Sequence, residues 1–459
     1  MIATNLPGTP AILPIHSENR FMRFFLTLCL MATIGSLHAQ RAPIKFEEYD
    51  LDNGLHVILH EDHSAPIVAV SVMYHVGSKN EKPERTGMAH FFEHLLFEGS
   101  ENIGRGEFFK YIQNAGGQNN ANTSNDRTFY YEVLPSNQLE LGLWLESERM
   151  LHARVERIGI ETQREVVKEE RRQRVDNQPY GNLIEETMKR AYRQHPYRWP
   201  VIGSMEHLNA AEDQEFTDFY ETFYVPNNAV LSIAGDFDRK DLKKMIEGYF
   251  GPVPKGTKDI PRPDIVEAYK MREVRDTIWG DDQLPLVLMA YPIPAEGTPD
   301  YYAVDLLNTA LSGGQSSRLN RAVVDEQELA VFCGAFSFGL EDPGQTIAYA
   351  VANIGTDPSE VEKAMVTEIN KVKAKGISDA ELDKLKNQVE SSFVQSNGTM
   401  RGIAESLANY HMYFGDANLI NTEIDRYMSV TAEDIQKAAA KYYNHDRRVV
   451  LYFLNENAQ

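Results

Sequence analysis

The chain contains very little cysteine: of its 459 residues, only Cys29 and Cys333 are cysteines. Cys29 lies inside an N-terminal stretch that we expect to be removed. The remaining chain then has one thiol and cannot form an internal disulfide. Its stability must come from packing rather than from covalent cross-links.

The chain also lacks an excess of positive charge. It carries 46 Lys and Arg against 67 Asp and Glu, a formal net charge of −21. A protein of this charge is repelled by phosphate backbones, so we expect no nucleic-acid partner. The hydrophobic fraction of 42% is typical of a globular protein.

A long hydrophobic run is absent as well. The apolar run from Phe24 to Leu37 has 14 residues, follows Arg20 and Arg23, and is followed by Ala39. This pattern predicts a secretory signal over residues 1–39, with translation from either Met1 or Met22, and it is too short for a stable membrane anchor. We therefore expect an exported protein, periplasmic or extracellular.

The length exceeds that of one ordinary core and predicts two domains. Residues 252–264 hold four prolines and a glycine, which is typical of a linker between halves 40–251 and 265–459. The halves share weak similarity: Tyr224–Ile233 resembles Tyr443–Tyr452 at an offset of 219 residues. This similarity between the two halves predicts a duplicated domain.

The periodicity predicts an α+β fold in which each half has a mostly antiparallel sheet packed with helices. In the first half it predicts strands at 54–60, 66–75 and 228–235, with strand-like spacing between 119 and 135. It predicts helices at 85–98, 137–152, 160–175 and 212–223.

The most informative motif is His90-Phe91-Phe92-Glu93-His94. Histidines at i and i+4 lie one turn apart on one helical face, so both imidazoles can reach a single metal ion. The order H-x-x-E-H is that of inverted zinc peptidases, in which Glu93 acts as the general base. Helical histidines can also be a surface feature, but the apolar neighbours of this pair favour a metal site.

A catalytic zinc ion usually takes three protein ligands, and the third is expected from the predicted helix at 160–175. Two adjacent acids compete there. Glu170 follows Val166 by four residues and Val167 by three, which places it on the apolar stripe, whereas Glu169 is turned about 100° away. The helical phase favours Glu170 and leaves Glu169 as the alternative; either acid could also belong to a solvated face.

With these residues identified, the chain resembles the pitrilysin family of zinc peptidases, which includes insulin-degrading enzyme and mitochondrial processing peptidase. The resemblance covers nearly all of 45–459. It rests on segments in the family's order, at 76–100, 116–131 (GGQNNANTSNDRTFYY), 164–181 (REVVKEERRQRVDNQPYG), 195–203 (HPYRWPVIG) and 223–238 (FYVPNNAVLSIAGDFD).

The resemblance implies one Zn²⁺ per chain and a third ligand about 76 residues beyond the second histidine, where Glu170 stands. It also implies that a peptide substrate binds as an added strand along a sheet edge, here around Asn120, Ala121 and Thr123. Many members carry a second Glu seven residues before the ligand Glu. This chain has Gln163 there, so the charge around the metal ligands differs.

A second departure concerns an Arg and a Tyr that active members draw from the other half of the clamshell. The matching positions here are Val324 and Val331, which cannot donate a hydrogen bond to an oxyanion. The resemblance therefore implies a zinc endopeptidase subunit that acts on unfolded peptides. It further implies a heterodimer in which a homologous chain supplies Arg and Tyr, and a homodimer is the weaker expectation. The alternatives are an inactive structural subunit and a peptide-binding module.

Overall fold

The computed structural model describes residues 42–268 and 272–458. Residues from Lys45 onward belong to one compact unit. The expected signal, residues 1–39, lies outside the described residues. Within the described ranges, no helix is both long enough and apolar enough to cross a membrane.

The first sheet has six strands in the order β1-β2-β6-β3-β5-β4. All neighbours are antiparallel except β2 and β6. Four of the six segments are rich in valine, isoleucine or aromatic residues, which favour strands, whereas the two outer segments are mostly polar. The strands are β1 (Glu47–Asp50), β2 (His56–Glu61), β3 (Ile67–Tyr74), β4 (Gln118–Thr123), β5 (Thr128–Pro135) and β6 (Ala229–Gly235).

The second sheet has five strands in the order β7-β11-β8-β10-β9, again with a single parallel pair, β7 with β11. This order repeats that of the first sheet without β1. The strands are β7 (Val274–Gly280), β8 (Leu286–Pro292), β9 (Ala330–Phe338), β10 (Gln345–Ala352) and β11 (Val449–Asn455). The predicted α+β class with mostly antiparallel sheets is confirmed, whereas the domain boundaries stay a prediction.

Fourteen α-helices in the described residues pack on these sheets. They are α1 (Met88–Leu95), α2 (Glu107–Asn114), α3 (Leu139–His152), α4 (Arg157–Arg171), α5 (Leu183–Ala191), α6 (Met205–Ala210), α7 (Asp213–Phe223), α8 (Arg239–Phe250), α9 (Pro299–Ser312), α10 (Pro358–Lys375), α11 (Asp379–Ser396), α12 (Met400–Phe414), α13 (Leu419–Ser429) and α14 (Ala432–Tyr442).

Each sheet is covered on its two faces by helices from different halves. One face of the first sheet packs against α1 in a core that includes Val57, Val70 and Leu231. Helix α12, from the second half, contacts β2, β3 and β6 of the same sheet. Reciprocally, α5 from the first half packs on β8 and β11 through Met188 and Ala191. This exchange of helices makes the two halves one folded unit.

A buried ion cluster also joins the halves. The Lys79 ammonium lies 3.0 Å from Asp126 Oδ1, 2.5 Å from Glu341 Oε2 and 3.2 Å from Asp342 Oδ2. Tyr197 donates a hydrogen bond of 2.6 Å to the same Asp126 carboxylate. Because Lys79 is only 4% exposed, its charge depends on these acids for compensation.

Candidate metal centre

Helix α1 presents the H-x-x-E-H motif. It begins after Gly87, whose φ of 95° lies in the left-handed region that suits glycine. Since glycine offers no capping side chain, the buried Glu81 carboxylate accepts the N–H groups of Gly87 and Ala89, each at 2.9 Å. Buried Phe91, Phe92 and Leu95 attach the helix to the first core.

His90 and His94 lie one turn apart, with ring centroids separated by 4.9 Å. Glu170 reaches them from α4, which packs against α1. Its Oε2 atom lies 3.1 Å from His94 Nε2 and 3.5 Å from His90 Nε2. The structure therefore brings together all three residues that the sequence proposed as metal ligands.

The neighbouring acid, Glu169, is on the outer side of α4. Its oxygens accept hydrogen bonds from Arg172 and Gln173. The phase argument was correct about Val167, which is fully buried, but wrong about Val166, which is 43% exposed. The buried stripe of α4 continues from Ile160 through Val167 instead.

The donor set fits a zinc ion. Zinc bonds of about 2.0–2.1 Å in a tetrahedral site separate neighbouring donor atoms by about 3.4 Å, close to the two separations at Glu170. The buried Glu170 Oε2 atom faces the two imidazole nitrogens and has no other hydrogen-bond partner. A buried carboxylate oxygen in this state is suited to accept a cation.

The charges of the site favour the forms that bind metal. Burial, with His94 beside it, lowers the pKa of His90 to about 4, so the imidazole is neutral at pH 7. The approach of His94 outweighs burial and lowers the pKa of Glu170 below the usual glutamate value. Arg174 also contributes, because its guanidinium lies 2.8 Å from Glu170 Oε1. It sits in a π-helical turn, Arg172–Asp176, that follows α4.

Glu93 lies between the metal centre and strand β4. Its Oε2 atom accepts a hydrogen bond of 2.7 Å from Thr123 Oγ1. Burial raises the pKa of Glu93 above the usual glutamate value, despite this bond. The Thr123 contact holds one carboxylate oxygen and leaves the other available for a proton transfer.

Strand β4 carries the expected substrate residues and is the edge of the first sheet. It pairs with β5 alone, through Asn120 opposite Tyr131, Ala121 opposite Tyr130 and Thr123 opposite Thr128. Within the described part of the chain, no strand covers its outer edge. Binding of substrate there stays a prediction.

Gln163 occupies the same side of α4 as Glu170, as its spacing predicted, but it bonds elsewhere. Its amide nitrogen donates to Glu98 Oε1. Arg105 lies 2.5 Å from the other oxygen of Glu98. Sequence reasoning missed Glu98, although it follows His94 by four residues. A carboxylate beside Gln163 thus comes from another segment of the chain, not from α4 itself.

The two valines at the expected Arg and Tyr positions are in the second half. Val324 is partly buried against the second core, whereas Val331, on β9, is 50% exposed. Neither side chain can hydrogen-bond. In the described residues of this half, we find no His/Glu group equivalent to that of α1 and α4.

Comparisons with known proteins agree with this architecture. Residues 56–204 match the family model described as Insulinase (Peptidase family M16), and residues 211–389 match that of the Peptidase M16 inactive domain. The zinc protease PqqE of Helicobacter pylori is 30% identical over 93% of this chain and 97% of its own length.

Solved structures show the same fold. The crystal structure of a protease from Helicobacter pylori has a TM-score of 0.86 and 28% identity, over 90% of this chain and all of that one. The periplasmic protease PqqL from Escherichia coli has a TM-score of 0.73 and 19% identity, over 90% of this chain but 48% of that one. The chain therefore belongs to peptidase family M16, the pitrilysin or insulinase family.

Proposed function

We propose that this chain is the zinc-bearing subunit of an endopeptidase that hydrolyses unfolded peptides. The observation that carries the proposal is the convergence of His90, His94 and Glu170 beside the Glu93 carboxylate. In such a site, zinc polarises a peptide carbonyl and activates water for attack.

The protein's own residues then supply proton transfer. Glu93 takes a proton from the attacking water and delivers it to the leaving amine. Thr123 holds the Glu93 carboxylate in place for both transfers. His90, His94 and Glu170 hold the ion and perform no proton transfer themselves.

Strand β4 supports the substrate class. A peptide added to its free edge is bound through main-chain hydrogen bonds, which tolerate varied side chains. Because Thr123 of this strand contacts Glu93, such a peptide lies beside the general base. Only an extended segment can pair in this way, which favours unfolded peptides as substrates.

Val324 and Val331 are the reason to propose a second subunit. Since neither can stabilise an oxyanion, we propose a heterodimer in which a homologous chain supplies Arg and Tyr. The proposed location is the periplasm or the cell exterior. The N-terminal sequence pattern supports it, as does the description of PqqL as a periplasmic protease.

The test measures zinc content and cleavage of a fluorogenic unfolded peptide, with the chain alone and with a homologous Arg/Tyr chain. We expect about one tightly held zinc at this site, cleavage only in the mixture, and its loss with chelator. Glu93→Gln should retain zinc but not cleave. Full activity of the chain alone would contradict the heterodimer, and zinc binding without cleavage in any mixture would favour an inactive peptide-binding subunit.

A further inference from the structure

We propose that Arg127 and Arg401 form a specificity site that favours peptides with an acidic side chain on the face of strand β4 turned away from the metal centre. The proposal rests on the proposed function, because it needs a peptide paired with the free edge of β4. It goes beyond that function by assigning a side-chain preference to a site whose main-chain pairing tolerates varied sequences.

Strand β4 presents side chains alternately to the two faces of the first sheet. Thr123 and the buried Ala121 face helix α1, and Thr123 contacts Glu93 there. Asn120 and Asn122 are exposed and lie on the opposite face, against which α12 packs. A peptide added to β4 alternates in the same way, so every second side chain of that peptide faces the α12 side.

Arg127 places a positive charge on this face. It follows β4 in the turn to β5, and its guanidinium donates a hydrogen bond to the Asn122 side chain. The same guanidinium lies 2.9 Å from Glu405 Oε1 of α12 and 5.4 Å from the centre of the Phe129 ring. Since Asn122 belongs to the edge strand, Arg127 contacts the strand with which the peptide would pair.

Arg401, in the first turn of α12, places a second positive charge there. It donates a hydrogen bond of 3.0 Å to the Tyr131 hydroxyl, and Tyr131 lies opposite Asn120 in the β4–β5 pair. The Arg401 side chain is 48% exposed, and its ion-pair partner in the described residues, Glu405, is 4.0 Å away. Arginine has five N–H donors, so Arg401 retains donors for a further acceptor.

The direction of α12 adds to the positive potential. The helix begins beside β5, at Arg401, crosses β3 and β6, and reaches the far edge of the sheet, where His411 lies 3.7 Å from Glu48 of β1. The end nearest β4 is therefore the N-terminus, which carries a partial positive charge. Two guanidinium groups that share the Glu405 carboxylate are thus joined by a helix end of the same sign.

The distances suit a long acidic side chain. Neighbouring strands are about 4.8 Å apart, so a peptide on β4 lies about 10 Å from β5. Long side chains reach diagonal neighbours across strands, which favours glutamate over the shorter aspartate. Asn120 and Asn122 carry no charge and can donate hydrogen bonds, so they do not oppose an acidic side chain.

The experiment measures binding of fluorescently labelled unfolded peptides to the zinc-loaded full-length chain, in which Glu93→Gln prevents cleavage. One Glu, Gln or Lys is moved along the peptide a single residue at a time. At alternate positions, we expect the Glu peptide to bind about three- to fivefold more tightly than the Gln peptide, and the Lys peptide to bind most weakly. The intervening positions should lack this order, and salt should reduce the preference.

Arg401→Gln removes one charge but keeps a donor for Tyr131. We expect the preference for Glu over Gln to fall below about twofold in this variant. The matched control is Arg239→Gln, which lies at the opposite edge of the same sheet, 3.1 Å from Glu61, and should retain the full preference. A preference that persists in both Arg401→Gln and Arg127→Gln overturns the proposal and leaves the two arginines as links between the halves.

Failure of the proposed function gives a different result. A chain that cleaves in no mixture, but whose peptide preference depends on Arg401, would retain the specificity site without the peptidase. Cleavage with equal binding of the Glu and Gln peptides at every position would retain the peptidase and overturn the specificity site.

Discussion

Thr123 on the edge strand donates a hydrogen bond of 2.7 Å to Glu93 on helix α1, so the candidate peptide-binding strand and the candidate general base are directly connected. A hydrogen bond to a carboxylate contributes about 1.5–3 kcal/mol. Thr123→Val keeps the shape of the side chain and removes this bond. We expect peptide cleavage to fall about tenfold or more, because Glu93 loses its orientation.

The zinc content of Thr123→Val should stay the same, since Thr123 does not contact the metal ligands. Thr123→Ser retains the hydroxyl and serves as the conservative control, with near wild-type cleavage. Equal kcat values for the valine and serine variants would show that the bond has no role in the reaction.

Glu169 and Glu170 are adjacent acids, so the same substitution at each position tests which of them binds the metal. Glu170→Gln removes a negative charge that faces both histidines, so we expect zinc affinity to fall by about 100-fold or more. Glu169→Gln changes an adjacent residue whose carboxylate contacts Arg172 and Gln173 instead. Zinc titration against a competing chelator distinguishes them, and a larger loss in Glu169→Gln would contradict the assignment.

Much of the first half could be predicted from local pattern. The helix expected at 85–98 is Met88–Leu95, and the strand expected at 228–235 is Ala229–Gly235. The segment between 119 and 135 contains two strands, joined at 124–127. In the structure Glu170, and not Glu169, faces the two histidines, as the helical spacing indicated, and its role as a metal ligand stays a prediction.

Contacts between distant segments were not visible in the sequence. Nothing near Gly87 indicates that Glu81 would cap α1, since that contact depends on how the preceding loop folds back. The packing of α5 and α12 on the sheet of the other half could not be predicted either, because it too depends on contacts between distant segments. Periodicity identifies an apolar face but not the sheet that covers it.

We expect the protein to lose stability when Lys79 of the buried ion cluster is replaced. Lys79→Met leaves Asp126, Glu341 and Asp342 without their shared cation, and removing one partner of a buried pair costs about 3 kcal/mol. Burial alone would raise the pKa of Glu341, but His75 and Lys79 outweigh it and lower that pKa to about 2. We expect Lys79→Met to unfold at lower urea concentration at pH 7.

The sign of the pH dependence follows from the lowered pKa. The contribution of Glu341 is present above its ordinary value of 4.5 and is lost as pH falls toward about 2. The difference in unfolding free energy between wild type and Lys79→Met should therefore shrink in acid. Lys82→Met, an exposed lysine three residues away, should change stability little at either pH. A constant difference across this range would refute the account.

For the buried pair Glu132 and Glu146 we expect the opposite dependence of stability on pH. Both are fully buried between β5 and α3, and none of their carboxylate oxygens has a hydrogen-bond partner. Arg149 is the nearby cation, 3.4 Å from Glu146 Oε1. Burial, and then the charge of Glu146, raises the pKa of Glu132 well above its ordinary value. A single positive charge therefore lies near two buried acids, which favours the neutral form of Glu132 in the folded protein.

A raised carboxyl pKa makes its contribution to stability greatest below the ordinary value of 4.5, and that contribution is lost as pH rises. Glu132→Gln, which is neutral at every pH, should therefore be more stable than the wild type at pH 8 and unfold at a higher urea concentration. The gain should diminish at pH 5. Urea unfolding at both values measures it, with the exposed Glu140→Gln on α3 as the control, and a loss of stability at pH 8 would show that Glu132 is folded as a carboxylate.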